Sequence, residues 1–329
     1  MRRSDRMTVD DKTILVTGGT GSFGQKFVEF LLKTQHPRAI RIYSRDEWKQ
    51  VQMQARFDDS RLRFLIGDVR DRNRLYRALN GVDFLIHAAA LKQVPVAEYN
   101  PIEAVRTNIE GAVNVIDGAI DNGVSKVMAL STDKAVHPVN LYGATKLVAE
   151  KLLIQANSYS GPRPTRFSVV RYGNVVGSRG SVVPVFREQS KVGALTITDE
   201  RMTRFWITQD EAVRFILHCV DSMVGGEIFV PKIPSMRVTD LAEAIAPGGK
   251  RKVTGIRPGE KLHEVLLTEE EAIHAREFDD HFVIEPEQPF WSREKSRGGK
   301  PLAAGFRYTS DGNSEWLTPA RLKEMLKAL

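Results

Sequence analysis

The first half of the chain alternates short apolar runs with segments whose apolar residues recur every three to four positions. The apolar runs predict strands at residues 13–17, 39–43, 62–66, 84–87, 127–130 and 167–171. The periodic segments predict helices at residues 25–33, 48–57, 74–79, 103–121 and 142–157. Strands that alternate with helices form right-handed βαβ units, so the pattern predicts an α/β fold with a Rossmann-type, doubly wound parallel sheet.

The pattern becomes irregular after about Asn174, where prolines separate shorter apolar segments. Helices are predicted at residues 211–223, 239–246 and 315–329, the second of them N-capped by Thr239, and a long polar loop at 285–305. We therefore expect a cofactor-binding Rossmann domain over residues 12–173 and a smaller C-terminal substrate-binding lobe, mainly over 174–284, some segments of which could return to the first domain. Residues 285–329 are expected to form the loop and the last helix.

Composition is that of a globular protein, with 42% hydrophobic and 27% charged residues. No run is apolar for long enough to cross a bilayer. Residues 1–12 are polar, lack the apolar core of a signal peptide, and are interpreted as a disordered lead-in. Cys219 is the only cysteine, which excludes a disulfide within the chain. We expect a cytoplasmic protein with no membrane partner.

The formal net charge of +7 allows two explanations. A basic chain can bind nucleic acid, or its arginines can neutralise a phosphorylated ligand. The charge is spread along the sequence, whereas nucleic-acid binding needs a concentrated basic face. We expect no nucleic-acid partner, and the arginines in Gly- and Pro-rich segments favour a phosphorylated ligand.

A glycine-rich turn separates the first predicted strand from the first predicted helix. Glycines allow a tight turn and close approach of the backbone to a pyrophosphate, and the helix N-terminus adds free N–H groups and a positive dipole end. A P-loop would need a lysine after the last glycine, but Gln25 stands there. The turn predicts a dinucleotide site formed by Gly18, Thr20, Gly21, Ser22, Phe23 and Gly24.

The end of the second strand indicates which dinucleotide binds. NAD-binding folds usually place an acid there for the ribose 2′-hydroxyl, whereas Ser44 and Arg45 suit a 2′-phosphate. We predict NADP, with the alternative that Arg45 is a surface residue and Asp46 caps the next helix. The further predicted cofactor contacts are Asp46, Lys49, Asp68, Val69, Ala88, Lys92, Tyr142, Lys146 and Val175. No His, Cys or Asp cluster has metal-ligand spacing, so we expect no metal.

Residues that carry chemistry follow the fifth strand. Thr132, Asp133 and Lys134 come just after the predicted strand at 127–130. Tyr142 and Lys146 share one face of the following helix. An ammonium beside a phenol stabilises the phenolate, and a threonine hydroxyl can bond a substrate oxygen. An adjacent carboxylate and amine can supply an acid–base pair. We predict catalytic roles for these residues.

Residues 17–24, Thr132 and the pair Tyr142 and Lys146 together resemble the extended short-chain dehydrogenase/reductase family. Within it, further strings resemble the inverting UDP-N-acetylglucosamine 4,6-dehydratases of pseudaminic acid biosynthesis. These strings are YSRDE (43–47), GDVRD (67–71), HAAALKQVP (87–95), STDKA (131–135), RYGNVVGSRGS (171–181), RMTRFW (201–206) and RPGEKLHE (257–264). The resemblance runs from about residue 12 to 284 and implies a lyase that acts on a UDP-sugar with NADP as a tightly bound cofactor.

The resemblance also implies how the catalytic residues act. Tyr142 would take the proton of the C4 hydroxyl while a hydride leaves C4, Lys134 would remove the C5 proton, and Asp133 would protonate the leaving C6 hydroxyl. Lys134 stands where the retaining dTDP-glucose dehydratases carry a glutamate. An amine is a base only without its proton, so we expect burial near other cations to depress the pKa of Lys134. The alternative is that Lys134 only binds phosphate.

Substrate contacts are predicted from both parts of the chain. Asn174 suits the diphosphate or the sugar amide, and guanidinium groups pair with phosphate oxygens at two points. Arg257 is the strongest candidate for binding phosphate, because Pro258 and Gly259 place it on a turn. The alternative for each arginine is a surface salt bridge. The predicted substrate contacts are Lys92, Leu130, Ser131, Asn174, Arg179, Arg204 and Arg257, and we expect a homo-oligomer.

Three other functions compete with this interpretation. Membrane-linked retaining dehydratases resemble the same segment but carry Met in place of Tyr142. A UDP-hexose 4-epimerase of the same fold also oxidises C4 but needs no C5 base, so Asp133 and Lys134 argue against it. An NADP-binding sensor or scaffold protein typically lacks the Tyr or the Lys of the pair, and both are present here.

Overall fold

The computed structural model describes residues 9–177, 182–191, 193–288 and 298–327. In the first half of the chain, helices and strands alternate as predicted. The elements are β1 (Thr13–Thr17), α1 (Ser22–Thr34), β2 (Ala39–Ser44), α2 (Glu47–Phe57), β3 (Leu62–Ile66), α3 (Arg72–Leu79), β4 (Phe84–His87), α4 (Val94–Tyr99), α5 (Pro101–Val105), α6 (Gly111–Asp121), β5 (Lys126–Thr132), α7 (Leu141–Tyr159) and β6 (Arg166–Tyr172). The six predicted strands are confirmed, and the five predicted helices are confirmed with shifted ends.

The second half of the chain is built from shorter elements. They are β7 (Asn174–Val175), α8 (Val182–Lys191), β8 (Ala194–Ile197), β9 (Thr203–Ile207), α9 (Gln209–Ser222), β10 (Ile228–Pro231), β11 (Ser235–Arg237), α10 (Val238–Ile245), β12 (Lys250–Val253), β13 (Val265–Leu267), α11 (Glu269–Ala272), β14 (Ala275–Glu277), β15 (His281–Ile284), β16 (Lys300–Pro301), β17 (Tyr308–Thr309) and α12 (Pro319–Lys327).

One sheet of ten strands organises the described chain, in the order β16-β14-β15-β10-β6-β5-β4-β1-β2-β3. The strands from β10 to β3 in that order run parallel, and β15, β14 and β16 add antiparallel pairs at one edge. The order reverses between β1 and β4, which is the position where open parallel sheets bind ligands. The predicted Rossmann-type sheet is therefore confirmed.

Buried strands and amphipathic helices explain why the sequence folds this way. Every residue of β1 and β4 is buried, as expected for central strands covered on both faces. Helix α1 packs beside α9, and α6 packs beside α3 and α7, so two groups of helices cover the sheet. Right-handed crossovers on either side of the β1–β4 reversal place these groups on opposite faces.

A second apolar cluster lies in the C-terminal part of the chain. It contains Phe186, Trp206 and Met236, together with Leu241 of α10 and Leu322 of α12. The strands β11, β9 and β7 form a small sheet, and β12 pairs with β8. No helix among the described residues is long and apolar enough to cross a membrane.

Three sequence predictions in this part need correction. Thr239 does not cap α10, because that helix begins one residue earlier and Arg237 occupies the N-cap position without a side-chain bond. The last helix does not begin at residue 315 but at Pro319, a residue suited to a first helical turn because it has no N–H to satisfy. Within the predicted loop at 285–305, Lys300 and Pro301 pair with β14, while residues 289–297 lie outside the described chain.

Candidate active site

A cavity of about 1330 Å³ opens at the carboxyl ends of the parallel strands. Its walls come from the turns after β1 to β6 and from segments of the C-terminal half, including β9 and residues 254–261. A pocket for one small ligand typically measures about 300–1000 Å³. This cavity therefore has room for a dinucleotide and a second ligand together.

The glycine turn after β1 forms one end of the cavity. Gly18 has φ of 65°, a value that favours glycine. A Cβ on Gly24 would lie 2.4 Å from the carbonyl oxygen of Gly19, so the first turn of α1 can pack on the turn only without a side chain there. The geometry of this cradle is compatible with a pyrophosphate. The predicted residues on its wall are Gly18, Thr20, Gly21, Ser22, Phe23 and Gly24.

Cations gather where β2 ends, at the side of the cavity expected to hold the adenosine ribose. The side chain of Asp46 accepts a hydrogen bond from the Lys49 amide at 3.0 Å, which confirms Asp46 as the N-cap of α2. The Lys49 ammonium also pairs with the Asp46 carboxylate. Arg45 is half exposed and its guanidinium lies 3.5 Å from the Asp68 carboxylate. Ser44 lies on the same wall, and its hydroxyl accepts a bond from Gln50 at 3.0 Å.

The remaining predicted cofactor contacts also line the cavity. Val69, Ala88 and Val175 provide apolar wall, and Lys92 contributes an amine. Burial lowers the pKa of Lys92, and the neighbouring charge of Lys134 lowers it further. Lys92 therefore lies close enough to Lys134 for the two cations to repel each other.

The predicted catalytic residues meet where the end of β5 and the start of α7 face the cavity. Thr132, Lys134, Tyr142 and Lys146 all line the cavity. Asp133 is fully buried and lies behind Lys134. Four of the five predicted residues are thus on the wall itself, and the carboxylate supports one of them from behind.

Two carboxylates hold the Lys134 amine. Its Nζ lies 3.0 Å from Asp133 Oδ1 and 3.3 Å from Glu264 Oε1. The Thr132 hydroxyl also donates to Asp133 Oδ1 at 3.0 Å, and among the described residues Asp133 Oδ2 has no hydrogen-bond partner. Glu264 is itself flanked by Arg204 and Lys261, each with a nitrogen 3.7 Å from a carboxylate oxygen.

The expectation that nearby cations depress the pKa of Lys134 is wrong for this arrangement. Burial works against the charged amine, but Asp133 and Glu264 outweigh it and raise the pKa of Lys134. Burial raises the pKa of Asp133 although Lys134 opposes the change. Burial also works to raise the pKa of Glu264, but Lys134, Arg204 and Lys261 outweigh it and lower that pKa. The pKa values of Asp133 and Glu264 are therefore shifted in opposite directions.

Tyr142 and Lys146 differ in their surroundings. Burial raises the pKa of Tyr142 to about 12, and Lys134 is the largest influence that opposes this rise. Lys146 donates to the Leu130 carbonyl oxygen at 2.6 Å, and burial lowers its pKa to about 8 against the opposing charge of Glu150. In this structure Lys134 is therefore the main cation that stabilises a Tyr142 phenolate.

Two buried polar atoms of cavity-lining residues have no hydrogen-bond partner among the described residues. Ser131 Oγ and Asn174 Oδ1 are buried, and neither has a hydrogen-bond partner among the described residues. Both residues line the cavity, as does Leu130. Buried polar atoms without a partner are costly, so these two atoms are suited to a polar ligand.

The predicted arginines have unequal surroundings. Arg257 lines the cavity, is well exposed, and pairs with Glu260 at 2.6 Å. Arg204 is largely buried and donates to the carbonyl oxygens of Thr203 at 2.7 Å and of Lys261 at 3.0 Å. Arg257 therefore makes the kind of salt bridge named as the alternative and would have to leave Glu260 to reach a phosphate. Arg204 is buried and bonded to backbone carbonyls. Arg179 lies outside the described residues.

Sequence reasoning missed Lys261 and Glu264. Both belong to the RPGEKLHE string, from which only Arg257 was selected. The string is rich in charges and follows a Pro-Gly turn, which is also typical of an exposed loop. Only the fold shows that it returns to β5 and reaches Lys134.

Comparisons with known proteins show what the chain is similar to. A family model described as "Polysaccharide biosynthesis protein" matches residues 14–286. A UDP-N-acetylglucosamine 4,6-dehydratase (inverting) of Campylobacter jejuni is 51% identical over 324 residues, which cover 96% of this chain and 97% of that protein. A UDP-glucose 4-epimerase of Rickettsia prowazekii is 41% identical over 333 residues, which cover 97% of this chain and 96% of that protein. The solved structure of Pen from Bacillus thuringiensis is 37% identical, with a TM-score of 0.89, and the match covers 98% of this chain and 100% of that one.

Proposed function

The chain belongs to the polysaccharide biosynthesis protein family, and on that premise we propose that it is a UDP-N-acetylglucosamine 4,6-dehydratase that inverts the configuration at C5. The similarity to the Campylobacter jejuni enzyme, 51% over 96% of this chain, supports the substrate and the inversion. The Rickettsia relative named as an epimerase is less similar, at 41% identity.

One observation carries the proposal. The Lys134 amine lies 3.0 Å from the Asp133 carboxylate and on the same cavity wall as Tyr142. An epimerase only has to remove and return hydrogen at C4, for which one acid–base residue suffices. A dehydratase must in addition take a proton from C5 and give one to the C6 oxygen, and the pair Asp133 and Lys134 supplies both groups.

Oxidation at C4 comes first. Tyr142, once ionised, takes the proton of the C4 hydroxyl, and Lys134 is the cation that stabilises its phenolate. The Thr132 hydroxyl turns from Asp133 to donate to the C4 oxygen. A nicotinamide dinucleotide held by the glycine turn at Gly18, Gly21 and Gly24 would supply a hydride acceptor for C4 and a hydride donor for C6. The C4 ketone formed in this way acidifies the C5 proton, which prepares the elimination.

Elimination then needs a neutral amine and a protonated acid. Lys134 can reach the first state by passing a proton to Asp133, whose pKa is already raised by burial. Lys134 takes the C5 proton, Asp133 gives its proton to the C6 hydroxyl, the C6–O bond breaks and water leaves. As the hydride is returned at C6, water protonates C5 on the face opposite Lys134, which inverts that centre. Tyr142 then gives the proton that it gained at C4 to the hydroxide so formed, and Tyr142, Lys134 and Asp133 all regain their starting states.

The cofactor we propose is NADP. The glycine cradle fits a dinucleotide pyrophosphate, and Arg45 and Lys49 lie together at the end of β2. Both are cations, and Arg45 can pair with a phosphate at two points. An acid in place of Ser44 would instead favour the free hydroxyl of NAD.

We propose that the UDP-sugar fills the C-terminal half of the cavity. The Ser131 hydroxyl can donate to the diphosphate or to the sugar, and the Asn174 amide oxygen can accept from a sugar hydroxyl or from the sugar amide N–H. Arg257 turns from Glu260 towards a phosphate. Lys92 adds a second cation on that wall. We also propose that the protein is cytoplasmic and forms a homo-oligomer.

The decisive experiment is identification of the product from UDP-N-acetylglucosamine. Loss of one water in the mass spectrum, with the C5 configuration read from NMR coupling constants, supports the proposal. A product of unchanged mass with inverted C4 would assign the protein to the epimerases. The Tyr142→Phe variant, incubated in parallel, controls for activity from contaminating enzymes.

A further inference from the structure

Glu264 is a buried carboxylate at the site with no part in the steps above. It is 2% exposed, lines the cavity, and precedes β13. Burying a carboxylate is costly unless other charges compensate it. Here three cations do so, Lys134 at 3.3 Å and Arg204 and Lys261 at 3.7 Å.

The backbone of Glu264 is held as firmly as its side chain. Its amide donates to Ser310 Oγ at 2.9 Å, and the Ser310 amide donates to its carbonyl oxygen at 2.8 Å. Strand β13, which follows, pairs with β17. The Glu264 carboxylate therefore reaches Lys134 from a backbone segment that is bonded to Ser310 and continues into the paired strands β13 and β17.

We propose that Glu264 is the positioning residue of Lys134, accepting an N–H of the amine in both of its protonation states and so directing its lone pair into the cavity. The inference rests on the proposed function, because it takes Lys134 as the base at C5. Glu264 does not touch the reacting atoms in this account, and acts only through Lys134.

Asp133 cannot serve in this way. When the Lys134 N–H bond breaks and the proton passes to Asp133 Oδ1, that oxygen becomes a hydroxyl and turns from acceptor to donor. Glu264 stays ionised because Arg204 and Lys261 continue to neutralise it. A neutral Lys134 amine then still donates one N–H to Glu264 Oε1, which fixes its orientation while the lone pair faces C5.

The charges around Lys134 give the sign of the expected effect. Among the described residues, Asp133 and Glu264 are the anions that face it. The cations and other titratable groups that face it are Lys92, Arg204, Lys261 and Tyr142. Removing the charge of Glu264 therefore leaves Lys134 with more positive neighbours and lowers the pKa of its amine.

The Glu264→Gln variant tests the proposal, since it keeps the size and an acceptor oxygen but removes the charge. Loss of the Lys134 proton to solvent gives the neutral amine as well as its transfer to Asp133 does, so the rate of C5 proton exchange with deuterated solvent rises with pH. In the variant this rising limb is expected to move to lower pH by about 1–3 units, the usual effect of one nearby opposite charge. Reduced nicotinamide is still expected to appear on mixing with UDP-N-acetylglucosamine, because C4 oxidation does not need Glu264.

Two further variants complete the test. Glu264→Asp keeps the charge but withdraws it from Lys134, so the limb stays in place while the exchange rate falls by about tenfold or more. Glu227→Gln removes a carboxylate that is equally buried, 2% exposed, but is bonded to Ser168 and to the amides of Val224 and Gly225. It is expected to lower the melting temperature without moving the limb.

The outcomes separate the two proposals. An unmoved limb in Glu264→Gln, or a wild-type exchange rate in Glu264→Asp, overturns the role of Glu264 even if Lys134→Ala is inactive. If Glu264→Gln does not fold, the rate in Glu264→Asp decides. Wild-type elimination in Lys134→Ala would instead overturn the proposed function of the site.

Discussion

Gly143 packs so closely against Lys134 that a Cβ on the glycine would lie 2.1 Å from the lysine carbonyl oxygen. The contact joins the first turn of α7, which carries Tyr142, to the turn that carries Asp133 and Lys134. The neighbour is backbone and cannot swing away. The spacing between the phenol and the amine thus depends on a missing side chain.

We predict that Gly143→Ala separates these two groups. Overpacking of this kind typically costs about 1–3 kcal/mol of stability, and the dehydration rate should fall with it. Urea unfolding and single-turnover kinetics measure the two effects. Gly118→Ala is the matched control in α6, where the added Cβ meets only the end of the Leu79 side chain at 2.8 Å. Equal activity of the two variants would show that the contact does not position the site.

Replacement of Arg45 should change cofactor preference. Arg45→Ala is expected to weaken NADP binding while affecting NAD little, because only NADP carries the 2′-phosphate that the guanidinium would pair with. Titration calorimetry with both cofactors measures the difference. Arg63→Ala, on the neighbouring strand and bonded to the Ser60 carbonyl, is the control. Parallel losses for both cofactors would assign Arg45 to the protein surface.

Tyr142→Phe should stop the reaction before any hydride moves. The variant keeps the ring and loses the oxygen that takes the C4 proton, a change that typically costs about 10²–10⁴ in rate. Stopped-flow absorbance of the reduced nicotinamide, on mixing with UDP-N-acetylglucosamine, is the measurement. Substrate binding by calorimetry should stay close to wild type. Normal absorbance growth would remove Tyr142 from its assigned role.

Lys134→Ala should block the reaction one step later. C4 oxidation remains possible, but its rising limb with pH should move upward, because Lys134 opposes the rise in the pKa of Tyr142. Water elimination and C5 exchange should fall by about 10²–10⁴. Lys232→Ala, which removes a surface partner of Glu277, is the control. Intact dehydration together with lost UDP binding would make Lys134 a phosphate ligand.

The sequence predicted the sheet well because its central strands are short, apolar and separated by periodic helices. It also located the glycine turn and Tyr142, since those motifs consist of residues close together in the chain. The predicted helix at 103–121 is helical throughout, but a π-helical turn at Arg106–Glu110 interrupts it. A single π-helical turn changes the spacing of apolar residues too little to be recognised in the sequence pattern.

The charges of the site were harder to predict. Lys134 was expected among cations, and Lys92, Lys261 and Arg204 do lie near it. Its pKa is nevertheless raised, by its chain neighbour Asp133 and also by Glu264, which lies 130 residues away in the chain. Interactions at that separation follow from tertiary packing and leave no trace in local spacing.

The paired hydrogen bonds between Glu264 and Ser310 link the site to a residue that is synthesised later than the rest of it. The glycine cradle, Thr132 and Tyr142 all lie in the first half of the polypeptide. The carboxylate that orients Lys134 gains its backbone anchor only when residue 310 has been made. The residues proposed for dinucleotide binding and C4 oxidation are thus synthesised before the backbone anchor of Glu264.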